Sequence, residues 1–115
     1  MNTYLIKNKE DFAHVFRNGN FLNCSSFTIN YAKKSKAVNI SLPRFGIVAS
    51  KKVGNAVQRN FAKRRTKALK NIFLYCGENE LDYIIVAKKK LLNENFKILS
   101  SQLEKTLNKI KIKTS

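Results

Sequence analysis

The chain has 115 residues, 43% of them hydrophobic, which is enough for one modest core and leaves little room for a second. It carries 23 Lys and Arg against 7 Asp and Glu, a formal net charge of +16. Self-repulsion at this density opposes a compact state and calls for a polyanionic partner. No apolar run approaches the ~18 residues of a spanning helix. The opening MNTYLIKNKEDF has no apolar signal core. The expectation is a cytoplasmic single RNA-binding domain over residues 1–115, with no membrane and no small-molecule substrate among its partners. Cys24, Cys76 and His14 cannot assemble a four-ligand zinc site, so the cysteines read as buried or half-buried thiols in a reducing compartment.

The first helix is predicted to start after Asn8, which can cap it, with Asp11 completing a capping-box-like arrangement. Phe12, Val15 and Phe16 fall at helical spacing, and an Asn-Gly-Asn turn at Gly19 stops the helix. Phe27–Tyr31 alternates apolar and polar and predicts a half-buried strand. A loop of sequence KKSKAVN leads to a short strand at Val38–Leu42, and Phe45–Ala49 reads as a buried strand. Asn55 caps a long helix to about Tyr75, with Gly77 as its stop. Glu78–Asp82 reads as an acidic loop, Tyr83–Ala87 as a second buried strand, and Lys88–Lys90 as a basic exit. Asn93 is predicted to cap a last helix with Phe96, Leu99, Leu103, Leu107 and Ile110 on one face. The fold class is α+β, in α-β-β-β-α-β-α order. Two fully apolar strands around a helix suggest a parallel βαβ unit within a mixed sheet.

The helix after Asn55 sorts by angle. At 100° per residue from Val57, the residues Val57, Ala68, Phe61, Ile72, Leu69, Ala62 and Phe73 fall between about 0° and 160°, the predicted sheet-facing side. Arg59, Lys70, Lys63, Lys67, Asn60 and Arg64 fall between about 200° and 340°. Arg65 is the exception, at about 80° inside the apolar arc, and is expected to snorkel past the core edge. No acid occurs from Lys51 to Cys76. A merely solvated helix mixes signs and pairs Glu with Lys four residues apart. An acid-free basic face instead gains energy when phosphates neutralise it and counterions are released.

The stretch SKKVGNAVQRNFAKRR resembles the signature of the bacterial ribonuclease P protein subunit, in which S-K-K-hydrophobic-G-N-A-V-x-R-N-R-x-K-R spans a strand-to-helix junction. Ser50–Val57, Arg59, Asn60, Lys63 and Arg64 match that pattern. The likeness extends to a K-N-x-D-F-type first helix from Lys7 to Phe16, a G-hydrophobic-x-x-S run before the signature, and a D-Y-I-I-V-A strand from Asp82 to Ala87. The resemblance implies the protein cofactor of a ribonucleoprotein endonuclease that removes 5′ leaders from precursor tRNA. The RNA subunit would do the chemistry and hold most of the Mg²⁺, leaving no catalytic residue in the chain. The implied partners are that catalytic RNA and precursor tRNA. The implied fold is a mixed four-stranded sheet flanked by helices, a two-layer sandwich like that of ribosomal proteins. Its crossover would be left-handed, where general rules give a right-handed one.

Lys51, Lys52, Asn55, Arg59 and Arg64 are the candidates for contact with the catalytic RNA. Phe12, Phe16, Asn30, Tyr31, Asn60, Lys63 and Lys67 are the candidates for the leader. Phe12 and Phe16, four apart, suit either stacking on single-stranded bases or ordinary core. The family's strand aromatic facing the leader falls at Asn30 or, one step off, Tyr31, and a one-residue slip reverses the face. Asn60 matches a position associated with metal near the leader. Phe61 departs from the signature, replacing its second arginine, and Arg64 or Arg65 would have to supply the missing phosphate contact. Two rival readings remain on the residues alone. One is a ribosomal-type structural RNA-binding protein. The other is a free-standing metal-dependent nuclease using Glu78, Glu80 and Asp82. A lone His14 on a helix is weak support for a catalytic triad.

Overall fold

A computed structural model describes residues 4–36 and 38–110. The first helix, α1 (Lys9–Asn18), begins as its capping residues dictate: Asn8 Oδ1 accepts from Asp11 N at 2.8 Å, and Asn8 Nδ2 donates to Asp11 Oδ2 at 3.0 Å. Then follow β1 (Asn20–Asn23), β2 (Phe27–Lys33), β3 (Arg44–Val48), α2 (Ala56–Lys67), α3 (Lys70–Cys76) and β4 (Leu81–Ala87). A 3₁₀ turn (Lys89–Leu92) and α4 (Phe96–Lys109) complete the order. The strands form one mixed sheet, β1-β2-β4-β3, with β3 and β4 parallel and the other pairs antiparallel.

The expected count of four strands holds, but its membership changes. Val38–Leu42 forms no strand. The carbonyls of Ile40, Leu42 and Asn79 instead turn to the Lys34 ammonium, the first and last accepting at 2.6 Å. The outer edge of β3 is taken by the chain start, with Ile6 N on Phe45 O at 2.9 Å and Phe45 N on Tyr4 O at 2.8 Å. The missing strand is β1, whose Asn-Phe-Leu-Asn sequence has no clear period and sits beside a turn. Ala37, in the expected loop, lies outside the described residues.

The register sorts every strand residue onto one of two faces, because directly paired residues share a side. Leu22, Phe27, Ile29, Tyr31, Phe45, Ile47, Tyr83, Ile85 and Ala87 meet Ala62, Leu69, Phe73, Leu91, Leu99, Leu103 and Leu107 in the main core. Tyr83 is buried at its centre, and its hydroxyl accepts from Glu78 N at 2.7 Å. The opposite face carries Phe21, Asn30, Ile84 and Gly46 in one cross-strand row, and Asn23, Thr28, Val86 and Val48 in the next. Helix α1 lies on this second face through Val15, which packs with Ala32 and Ile84.

At the far end of that face Arg44 is buried. Its Nε and Nη2 hold both oxygens of Asp82, at 2.9 and 2.6 Å, and Nη2 also reaches Asp11 at 3.2 Å. Asp82 therefore belongs to a strand and an ion pair, not to an acidic loop. The hydrogen bond and charge of Asp82 outweigh burial and hold the guanidinium above its usual range.

The long helix expected from Asn55 to Tyr75 is divided. The Thr66 hydroxyl bonds back to Ala62 O at 2.9 Å, and Leu69 N turns to Thr66 O at 3.0 Å, a tighter 3₁₀-type bond. The last helix is capped by Asn95, whose side chain accepts from Lys97 N at 2.8 Å, not by Asn93. Leu99, Leu103, Leu107 and Ile110 are buried as expected, whereas Phe96 stays exposed.

Candidate nucleic-acid interface

The interface is built at the junction between β3 and α2. Val53 is fully buried and anchors the turn. Gly54 then adopts φ +150°, a region that side chains rarely enter. Asn55 and Gln58 form a reciprocal capping box, with Gln58 N on Asn55 Oδ1 at 2.9 Å and Asn55 N on Gln58 Oε1 at 2.8 Å. Arg59 Nη1 donates to Gly54 O at 3.0 Å. Much of the signature thus fixes the geometry of the turn. Asn55 spends its side-chain oxygen as a helix cap, and half-buried Arg59 staples the turn from behind. Lys51, Lys52, Asn60, Lys63, Arg64 and Lys67 are exposed.

The angular sorting of α2 needs one correction. Val57, assigned to the sheet side, is 75% exposed, and Phe61 and Ala68 are exposed too. The buried stripe runs through Ala62, Thr66, Leu69 and Phe73, narrower than predicted and turned toward Arg59. The main packing partners of α2 are β3 and the 3₁₀ turn, and Val57 lies outside that packing. The outward side therefore presents Val57 and Phe61 among lysines and arginines.

Phe61 organises its neighbours. The guanidinium carbons of Arg64 and Arg65 lie 5.8 and 5.6 Å from its ring centre, within cation–π range. Arg65 is held between two rings, its guanidinium carbon also 5.9 Å from Phe96, and donates to Glu94 O. It does not merely snorkel: it ties α2 to the start of α4. Arg64 remains exposed and is the arginine available to a phosphate.

The second surface is the α1 face of the sheet. One flank of α1 is tied to the Arg44 end: Asp11 reaches Arg44, and His14 Nε2 donates to Lys33 O at 2.8 Å. Because His14 Nδ1 then accepts from Asn18 Nδ2 at 3.2 Å, both ring nitrogens are engaged. The other flank carries Phe12 and Phe16. Phe12 crosses over β3 at Gly46, where an added Cβ would lie 2.6 Å from its ring tip. Phe12 is half-buried and packed, while Phe16, one turn on, is 48% exposed. The strand register separates the two β2 candidates by face. Asn30 is on the face of Phe12, and Tyr31 is on the opposite one against the main core.

Two contributors were missed by sequence reasoning. Arg44 was given no role, and only strand pairing shows its partner Asp82. Phe21 was assigned to no element because β1 was missed; an aromatic two residues after Gly19 was the available signal. Among the described residues no group of three His, Cys, Asp or Glu side chains could hold a metal ion. Asp82 is engaged with Arg44, so the acids Glu78, Glu80 and Asp82 do not form the ligand set that a free-standing nuclease would need. No described helix is long and apolar enough to cross a membrane.

The Ribonuclease P family model matches residues 1–111. A ribonuclease P protein component from a Nitratiruptor species is 38% identical over 107 residues, covering 92% of this chain and 91% of that protein. One from Carboxydothermus hydrogenoformans is 36% identical over 103 residues, covering 87% and 84%. The solved RNase P protein of Staphylococcus aureus superposes with a TM-score of 0.77 at 27% identity, covering 95% of this chain and 96% of that one. The RNase P protein of Thermotoga maritima shares the fold, with a TM-score of 0.77 at 24% identity over 92% of this chain and 96% of that one. A family match along nearly the whole chain, joined to the junction geometry, sets aside the ribosomal-type reading: the chain belongs to the ribonuclease P protein family, which works with an RNA subunit in tRNA 5′-end processing.

Proposed function

We propose that this chain is the non-catalytic half of its endonuclease, holding the catalytic RNA with one surface and the precursor-tRNA leader with another. The supporting observation is the exposed, acid-free basic side of α2 beside a sheet face with exposed aromatic rings. Lys51, Lys52 and Arg64 would contact phosphates of the catalytic RNA, positioning it without reading sequence. Asn55 and Arg59 would act by shaping the turn that presents them. Phe12, Phe16 and Asn30 would line the leader path on the sheet face, with Asn60, Lys63 and Lys67 along the edge of α2. Magnesium in this reading is held mainly by the RNA. The described residues offer it no multi-ligand site, and Asn60 contributes at most a single amide oxygen.

Reconstitution tests this directly. Alone, the protein should leave precursor tRNA intact. Added to the catalytic RNA at low Mg²⁺, it should restore cleavage, more so for substrates with a leader. Absence of stimulation would refute the proposal. Glu78→Ala with Glu80→Ala should leave cleavage intact; loss of cleavage with RNA binding retained would point to chemistry in the protein. Asp82 is left out of that pair because its carboxylate supports Arg44.

A further inference from the structure

We infer that Phe21, on the edge strand β1, is a leader-stacking residue. The inference rests on the leader-binding reading above and adds a residue to it. Phe21 is 64% exposed, although a phenyl ring on a short edge strand gains nothing from water. Its place is fixed by pairing. Phe21 lies directly opposite Asn30, and the neighbours Leu22 and Ile29 go to the main core, so Phe21 and Asn30 share the α1 face. Phe16 rises from α1 onto the same face. Phe12 and Phe16 thus come from α1, with Phe12 over Gly46 of β3, and Phe21 comes from β1 at the other edge of the sheet.

The chemistry of the row favours single-stranded RNA over an apolar protein partner. On β1 and β2 the neighbours of Phe21 are amides and a hydroxyl, Asn30, Asn23 and Thr28, while the aliphatic Ile84, Val86 and Val48 of the inner strands pack with Val15 and Phe12. Asn23 Oδ1 already accepts from Thr28 Oγ1 at 2.9 Å and from Lys88 Nζ at 2.6 Å, which brings a cation to this end of the face. The carboxylates of the face, Asp11 and Asp82, are both turned to Arg44 at the opposite end. Exposed rings spaced by amides, flanked by cations and clear of acids, suit base stacking with phosphates on the outside.

The experiment is binding of the reconstituted holoenzyme to precursor tRNA with and without a single-stranded leader. Phe21→Ala should weaken binding of the leader-bearing substrate by about 5- to 150-fold, the range for one lost base–aromatic stack. Binding of leaderless tRNA and assembly with the catalytic RNA should be unchanged, as should the melting temperature, since the ring is exposed. Asn30→Tyr in the Phe21→Ala background should recover leader binding, because paired side chains on one face lie about 4.5–5.5 Å apart at Cβ. An equal loss for both substrates, or no recovery by Asn30→Tyr, overturns the inference. Phe16→Ala is the control. If it weakens leader binding and Phe21→Ala does not, Phe21 alone is excluded. If neither does, the leader is not on this face and the reading beneath it falls as well.

Discussion

Gly54→Ala separates the structural part of the signature from its contact part. The φ of +150° lies where an alanine costs about 1–3 kcal/mol in backbone strain. A Cβ there would also meet Gln58 Oε1 at 2.0 Å and Gln58 Cδ at 2.7 Å. The Gln58 arm can swing away only by abandoning Asn55 N, its capping-box partner at 2.8 Å. Losing a cap costs about 0.5–2 kcal/mol. Together these give about 1.5–5 kcal/mol, a large share of the ~5–15 kcal/mol that holds a small domain. Urea denaturation followed by circular dichroism, at one fixed phosphate concentration, is the assay, because anions that bind the folded state raise its apparent stability. The midpoint should fall with an unchanged slope. The double variant Lys63→Ala/Lys67→Ala should behave in the opposite way, staying within about 0.5 kcal/mol of the parent while losing RNA affinity. A Gly54→Ala protein as stable as the parent would refute the view that this turn is structural.

The remaining predictions concern the buried groups and the basic edge. Asp82→Ala leaves the Arg44 guanidinium buried with Asp11 alone and should cost about 3–5 kcal/mol; a loss below about 1 kcal/mol would show that Asp11 or water suffices. Burial pushes the Tyr83 hydroxyl up to about 12. The folded state therefore favours the neutral phenol: the stability is fully present below pH ~10 and is lost as pH rises toward 12, by about 2–3 kcal/mol. Tyr83→Phe should flatten that alkaline decline, lysine deprotonation being common to both proteins, and an unchanged decline would place the phenol in water. Lys63→Ala with Lys67→Ala should also lower the log–log salt slope of leader binding by about 1.4, at ~0.7 per single-strand phosphate contact. An unaltered slope would put both lysines outside the interface.

Local chemistry was legible in the sequence where residues a few positions apart decide the outcome. Asn8 with Asp11 and Asn55 with Gln58 define helix starts by short-range hydrogen bonds, and the apolar runs of β3 and β4 announce buried strands. The absence of acids from Lys51 to Cys76 shows the basic surface without any coordinates. Tertiary structure decided whatever depends on a distant partner. Val57 and Phe61 look like core by helical angle, yet the fold leaves both exposed on α2. Asp82 looks solvated until β3 brings Arg44 beside it across 38 residues of chain. Asn30 and Tyr31 are equal candidates until pairing with β1 and β4 fixes the register, and the sheet's period of two then assigns them to opposite faces. The same pairing places Phe21 beside Asn30: a pattern of period two tells a strand which residues alternate, but only a neighbouring strand tells it which side is which.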